Sequence, residues 1–189
     1  FEFDSINYNV PFPGYDMKFS PQGDKLIVNY DDGLFYFFDF DNTTGEATQK
    51  FKVDFKKEIG YNIRGSLEFS QDGTKLYLQS GHDKYRIHQF DLTNYSKTAV
   101  LSSRETIWST QSNCVDCLFR DFQLAPNNRI YVSYLHSYTG KQDSSFLGVI
   151  ECPNCKGVSA NYKHLDLNIS ANKISIPYLN NIPTNFLKT

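Results

Sequence analysis

Charge of one sign is missing from this sequence: 19 Lys and Arg stand against 21 Asp and Glu, a formal net charge of -2. No global field therefore draws the chain to nucleic acid or to an anionic membrane surface. Long apolar runs are missing too, and no window reaches the roughly 20 apolar residues that a membrane-spanning helix needs. The motifs that announce common chemistries are also lacking: there is no GxSxG elbow, no GxxxxGK[ST] loop, no GxGxxG opening a helix and no HExxH. Without them no catalytic residue is assigned, no cofactor is expected, and enzyme chemistry has no visible foothold. The sequence as given does not open on a secretory-leader pattern. Residue 1 is Phe, and Phe1-Glu-Phe-Asp4 reads as strand interior, so the expectation is a sequence that begins inside a longer protein.

What is present is a repeat. Tyr15-Asp-Met-Lys-Phe-Ser-Pro-Gln-Gly-Asp-Lys-Leu-Ile-Val-Asn-Tyr30 recurs as Gly65-Ser-Leu-Glu-Phe-Ser-Gln-Asp-Gly-Thr-Lys-Leu-Tyr-Leu-Gln79 and as Arg120-Asp-Phe-Gln-Leu-Ala-Pro-Asn-Asn-Arg-Ile-Tyr-Val-Ser133. Aligning Phe19, Phe69 and Leu124 gives steps of 50 and 55 residues, a period that points to a repeat array. The 16 Phe and 13 Tyr favour pleated, half-buried surfaces.

Each copy reads as strand, turn, strand, hairpin, strand. In the first, Tyr15, Met17 and Phe19 alternate with Asp16 and Lys18, the period-two pattern of a strand with one buried face. Ser20-Pro-Gln-Gly-Asp24 is a turn, Leu26 to Tyr30 a second strand, Asp31-Asp-Gly33 a hairpin turn, Leu34 to Phe40 a third strand, and Lys50 to Phe55 an outer fourth. The second copy buries Leu67 and Phe69 and continues through Leu76 to Gln79 and Tyr85 to Phe90; residues 94–119, with Trp108, read as a polar link. The third buries Phe122 and Leu124, continues as Ile130 to Leu135 and Phe146 to Glu151, and adds Tyr162 to Leu167 as its outer strand.

Four antiparallel strands in about 50 residues make one blade of a β-propeller. The expected fold is therefore all-β: the end of one blade at 1–14, blades at 15–64, 65–119 and 120–170, and a closing segment at 171–189. That is about three blades plus part of a fourth, a fragment of a larger propeller, because a closed ring takes four to eight blades.

The four cysteines form two CxxC pairs, Cys114-Val-Asp-Cys117 and Cys152-Pro-Asn-Cys155, with 34 residues between them. Disulfides suit an even count in an exported chain, and a bridge across a loop of about 35 residues would contribute roughly 4 kcal/mol in the chain-entropy model. A zinc site with Cys114, Cys117, Cys152 and Cys155 as ligands is the metal alternative, at a separation wider than the usual zinc ribbon. A redox CxxC lacks the βαβ setting. The blade arrangement does not choose a pairing. No histidine sits in a ligand spacing: His82 and His136 read as hairpin-loop residues, His88 and His164 as outer-strand residues. Asp31 and Asp32 beside Gly33 are turn formers rather than a carboxylate pair. The loop from His136 to Ser145, with Tyr138, Lys141 and Gln142, is the candidate interaction loop, since long loops on a rigid scaffold tend to carry function.

The copies Phe19-Ser-Pro-Gln-Gly-Asp-Lys-Leu26 and Phe69-Ser-Gln-Asp-Gly-Thr-Lys-Leu-Tyr77 resemble those of lactonase-like and WD40-like propellers. Gln123-Leu-Ala-Pro-Asn-Asn-Arg-Ile-Tyr-Val132, Phe146-Leu-Gly-Val-Ile-Glu-Cys-Pro-Asn154 and Ile174-Ser-Ile-Pro-Tyr-Leu179 together resemble the propeller region of secreted Bacteroidetes surface proteins. Such proteins often carry a C-terminal sorting domain of the gliding-motility, type IX secretion kind. The resemblance implies an extracellular or cell-surface location and a non-catalytic role in adhesion or as a scaffold. Its partners would be a protein, a surface glycan or further blades of the same protein. The short Cys152 to Cys155 spacing departs from that family. The alternative is part of a lactonase-like or other hydrolase propeller whose catalytic residues lie outside this chain.

Overall fold

The computed structural model describes residues 16–168, apart from 32, 61–62, 82–84, 111–116 and 137–143. They form three four-stranded antiparallel sheets in sequence order. The first holds β1 (Asp16–Phe19), β2 (Lys25–Asp31), β3 (Leu34–Asp41) and β4 (Glu46–Asp54). The second holds β5 (Ile63–Phe69), β6 (Lys75–Ser80), β7 (Arg86–Asp91) and β8 (Glu105–Ser109). The third holds β9 (Cys117–Leu124), β10 (Ile130–His136), β11 (Ser144–Ile150) and β12 (Tyr162–Asn168). Short helices α1 (Phe55–Ile59) and α2 (Lys97–Ser102) join or flank the sheets. Consecutive sheets meet through their first strands, β1 beside β5 and β5 beside β9. This is the blade architecture that the repeat implies.

The repeated turn between first and second strands is built the same way three times. Gly23 N–H donates to Ser20 O, Gly73 N–H to Ser70 O and Asn128 N–H to Ala125 O, each at 2.9 Å. Gly23, Gly73 and Asn128 all take the left-handed backbone, with φ of 67°, 65° and 63°. A type I turn closed by such a residue fixes hairpin register. Ser20 and Ser70 add a hydroxyl that accepts from Lys25 N and Lys75 N. The third copy has Ala125 there and is one residue shorter.

Each sheet has a trailing face, turned to the next sheet, and a leading face, turned to the one before. Ile27, Phe35, Phe37 and Val53 on the first trailing face cluster with Leu67, Phe69, Leu76, Leu78 and Phe90 on the second leading face. Phe55 of α1 and Val100 of α2 cap that cluster. Behind the second sheet, Tyr77 and Ile87 cluster with Phe122, Ile130, Val132 and Ile150 of the third.

Four readings from sequence are corrected. The Met17 and Phe19 side of β1 is open, 56% and 46% exposed, while Asp16 and Lys18 on its other side meet the second sheet. The stretch 94–119 is not a plain link: it contains α2 and β8, and Trp108 sits in β8 as part of the second blade's outer strand. The first outer strand starts earlier, at Glu46, and ends where Asp54 caps α1 by accepting from Lys57 N. His88 lies in the third strand β7, fully buried, rather than in an outer strand.

Candidate functional site

The first strand of each blade is a sheet edge, and its outward N–H groups have no ladder partner. The residues three before the aligned Phe19, Phe69 and Leu124 are Asp16, Ser66 and Asp121, and the first two fill this need for the following blade. Asp16 Oδ2 accepts from Leu67 N–H at 3.0 Å, and Ser66 Oγ accepts from Phe122 N–H at 3.2 Å. The single hydroxyl proton of Ser66 serves the shorter of its two carboxylate contacts, to Asp121 Oδ1 at 2.5 Å, with Asp16 Oδ2 at 3.1 Å. Two residues on, Glu68 accepts from Phe69 N–H at 3.0 Å and Leu124 N–H at 2.9 Å, and its Oε2 pairs with Lys18 Nζ at 3.2 Å.

Burial pushes the Glu68 carboxyl above its ordinary range, against the opposing pull of the Lys18 charge and the two N–H donors. For Lys18, burial works to lower the ammonium's pKa, but the carboxylates of Glu68 and Asp16 outweigh it and hold it up. The row is therefore a set of anchored acceptors stitching edge N–H groups across blades. Among the described residues no group of His, Cys, Asp and Glu is arranged to hold a metal ion.

A second polar group lies inside the second blade. His88 Nε2 sits 2.8 Å from Ser80 Oγ and its Nδ1 3.2 Å from Thr106 Oγ1. A hydroxyl beside an imidazole resembles a nucleophile and its base. Here both are buried, and burial, reinforced by the charges of Arg104 and Arg86, lowers the His88 pKa to about 3. An imidazole so weakly basic is a satisfied core residue, not a general base.

The third element is the turn after β11. A disulfide joins Cys152 to Cys155, with Cα atoms 5.3 Å apart, and Cys155 N–H donates to Cys152 O at 2.9 Å. For this pair the bridge spans a three-residue separation, not the loop of about 35 residues considered from sequence. The turn docks on the second blade. Tyr77 OH donates to Pro153 O at 2.7 Å, Gln89 Nε2 to Cys155 O at 2.7 Å, and Gly157 N–H to Gln89 Oε1 at 2.8 Å. The remaining Gln89 amide proton goes to Tyr77 OH at 2.6 Å, so both amide protons and the carbonyl oxygen of this buried side chain are engaged.

His136 is not a hairpin-loop residue as read from sequence: it is the last residue of β10, paired with Cys117 and Ser144. Tyr138, Lys141 and Gln142 lie outside the described residues, as do Cys114, His82 and the end segments 1–14 and 171–189. Cys117 begins β9. His164 lies on the outer strand β12, as expected, stacked between Trp108 at 4.4 Å and Tyr134 at 4.6 Å, where it closes the outer part of the seam between second and third blades. Sequence reasoning missed Tyr77 and Gln89. The available signal was a glutamine at an inward position of a strand whose neighbours Ile87 and Phe90 are apolar.

No protein-family model and no curated protein matches this chain. Solved structures do. A protein from Lactobacillus plantarum superposes with a TM-score of 0.51 at 19% identity, over 82% of this chain and 41% of that one. The β-propeller domain of Cps50 (Swd1) from Myceliophteria thermophila gives 0.44 at 14%, over 76% and 41%, and the periplasmic gluconolactonase of Pseudomonas aeruginosa gives 0.41 at 14%, over 71% and 41%. At such identities the likeness concerns fold alone. The fold is a β-propeller. This chain spans 41% of the length of each of these proteins.

Proposed function

We propose that these blades are a non-catalytic binding or scaffold unit of an exported, cell-surface propeller protein. The observation that carries this reading is the commitment of the inner-strand acceptors. Asp16 and Glu68 are acidic side chains of the inner strands, and each holds a backbone N–H of the next blade. A carboxylate anchored in that way supports a rigid platform rather than shuttling protons. The Cys152–Cys155 disulfide supports export, since such bonds persist in oxidising compartments. The resemblance to secreted Bacteroidetes surface proteins supports the cell-surface location and a link to adhesion, gliding or type IX secretion. The loop that follows His136 at the end of β10, with Tyr138, Lys141 and Gln142, is the contact for a protein or surface glycan.

Two measurements test this. Protease shaving of intact cells of the source organism should release the protein; full protection inside the cell would overturn the location. Purified protein should leave sugar lactones unhydrolysed above the buffer rate. Hydrolysis that Glu68→Gln abolishes without unfolding the protein would replace this reading with the hydrolase one.

A further inference from the structure

The three blades secure the turn after their third strand by two different means. In the first, Asp41 Oδ1 accepts from the N–H groups of Thr43 at 2.8 Å and Thr44 at 3.2 Å. In the second, Asp91 Oδ1 accepts from Thr93 N–H at 2.8 Å. A carboxylate that closes its own turn in this way has no redox state. In the third blade the turn is closed by the Cys152–Cys155 disulfide, across a separation of three residues, and such a bond opens on gaining two electrons.

The breakable bond sits in the turn that the neighbouring blade grips. Pro153 O and Cys155 O, inside the ring that the bond closes, accept from Tyr77 OH and Gln89 Nε2, both at 2.7 Å. Asn154 Oδ1, in the same ring, accepts from Asp72 N–H at 3.4 Å. Gly157 N–H, two residues beyond it, donates to Gln89 Oε1 at 2.8 Å. Tyr77 and Gln89 are buried and fixed in their strands, so they need the two carbonyls presented at one spacing, which ring closure supplies. The bond is also within reach of a reagent: both cysteines are half-buried, and Asn154 and Lys156 beside them are exposed.

We propose that the Cys152–Cys155 pair is a redox-sensitive latch on the seam between the second and third blades, closed as the disulfide and opened by a dithiol donor. One thiolate of the donor attacks a cysteine sulfur, forming a mixed disulfide as the Cys152–Cys155 bond breaks and the first cysteine leaves. The donor's second thiol then attacks the donor sulfur of that mixed disulfide and releases the second cysteine. Cys152 and Cys155 end as two thiols, and the donor, having given up two electrons and two protons, ends as a disulfide. Without the bond the ring atoms gain freedom, and the paired carbonyls leave Tyr77 and Gln89. The inner-strand bond from Phe122 N–H to Ser66 Oγ contains no sulfur and stays, so the third blade loosens along its outer part instead of detaching. One consequence rests on the export reading: the latch is open in a reducing cell interior and closes outside it.

Hydrogen exchange at Gly157 N–H, which Gln89 holds, tests the latch. The protein is compared oxidised and after dithiothreitol, with mass spectrometry of iodoacetamide-labelled peptides identifying the reduced cysteines. Dithiothreitol should open Cys152 and Cys155 to label in the folded protein and speed exchange at Gly157 N–H roughly tenfold or more, as a local opening does. Leu67 N–H at the first seam should keep its rate, and reoxidation should restore the slow exchange. The double variant Cys152→Ser with Cys155→Ser should exchange fast at Gly157 with or without the reductant, which separates this pair from Cys114 and Cys117. Equal rates at Gly157 N–H in the oxidised and reduced protein would overturn the proposal, as would a pair that stays unlabelled while the protein is folded. So would an acceleration by dithiothreitol that persists in the double variant, because that would assign the effect to Cys114 and Cys117.

Discussion

The seams on the two sides of the second blade join equivalent strands but are held by different means. Between the first and second sheets the contact is chiefly apolar and aromatic, with Phe35 against Phe55 at 5.1 Å and Phe55 against Phe90 at 5.1 Å. Between the second and third, apolar strands are joined by a polar clamp, in which Tyr77 and Gln89 grip the backbone of the Cys152–Gly157 turn. The difference teaches that this repeat fixes blade order through the inner-strand acceptors, which both seams share, and leaves the outer part of each seam free to be apolar or polar.

That contrast can be broken first at its apolar side. Phe69→Ala removes a fully buried ring from the first seam, and urea unfolding should show a loss of about 3–5 kcal/mol. Gln89→Leu should cost about 1–3 kcal/mol, because it leaves Cys155 O and Gly157 N–H without their partner and removes the bond that Tyr77 OH accepts. A loss confined to a few tenths would mean that the clamp contributes nothing. The double change Cys152→Ser with Cys155→Ser should cost about 2 kcal/mol or less, the chain-entropy value for so short a loop. Hydrogen exchange should place the loosening at the second seam and leave the first unchanged.

Acid should separate the two seams from the blade interior. His88 is held neutral in the folded state, with its pKa lowered to about 3 by burial and by Arg104 and Arg86. Once unfolded it binds a proton below its ordinary value near 6.5. Its contribution is therefore present above about pH 6.5 and is lost as the pH falls toward 3, at about 1.4 kcal/mol per pH unit. His88→Gln should flatten that part of the stability curve measured by denaturation across pH. The smallest effect is the control: Val158, 81% exposed, changed to Ser should move stability by no more than about 0.5 kcal/mol.

Much of the blade architecture was legible because it is written locally. Period-two alternation, the Ser-x-x-Gly turns and their Ala-Pro-Asn-Asn counterpart place β2, β3, β6 and β10 within a residue or so of where they lie. Alternation alone does not say which side of a strand is covered, and here it misled. Met17 and Phe19 look like a buried pair, yet the covering blade decides burial, and the described neighbour of β1 lies on the side of Asp16 and Lys18. Strand β8 escaped notice because Glu105-Thr-Ile-Trp-Ser109 buries no residue fully, mixes half-buried with exposed positions and has no clean period. The acceptor row was hidden for a different reason: Asp16 and Ser66 differ in chemistry, and their shared role appears only when the strands lie side by side. Likewise, nothing in Tyr77 or Gln89 taken singly announces a partner more than 60 residues away.

The central claim is that an acceptor on each inner strand holds the edge N–H of the next. Residue-resolved hydrogen exchange on Asp16→Ala and Ser66→Ala tests it most directly. Asp16→Ala should speed exchange at Leu67 N–H and leave Phe122 N–H at its original rate, and Ser66→Ala should do the reverse. Unchanged rates at both amides in both variants would contradict it.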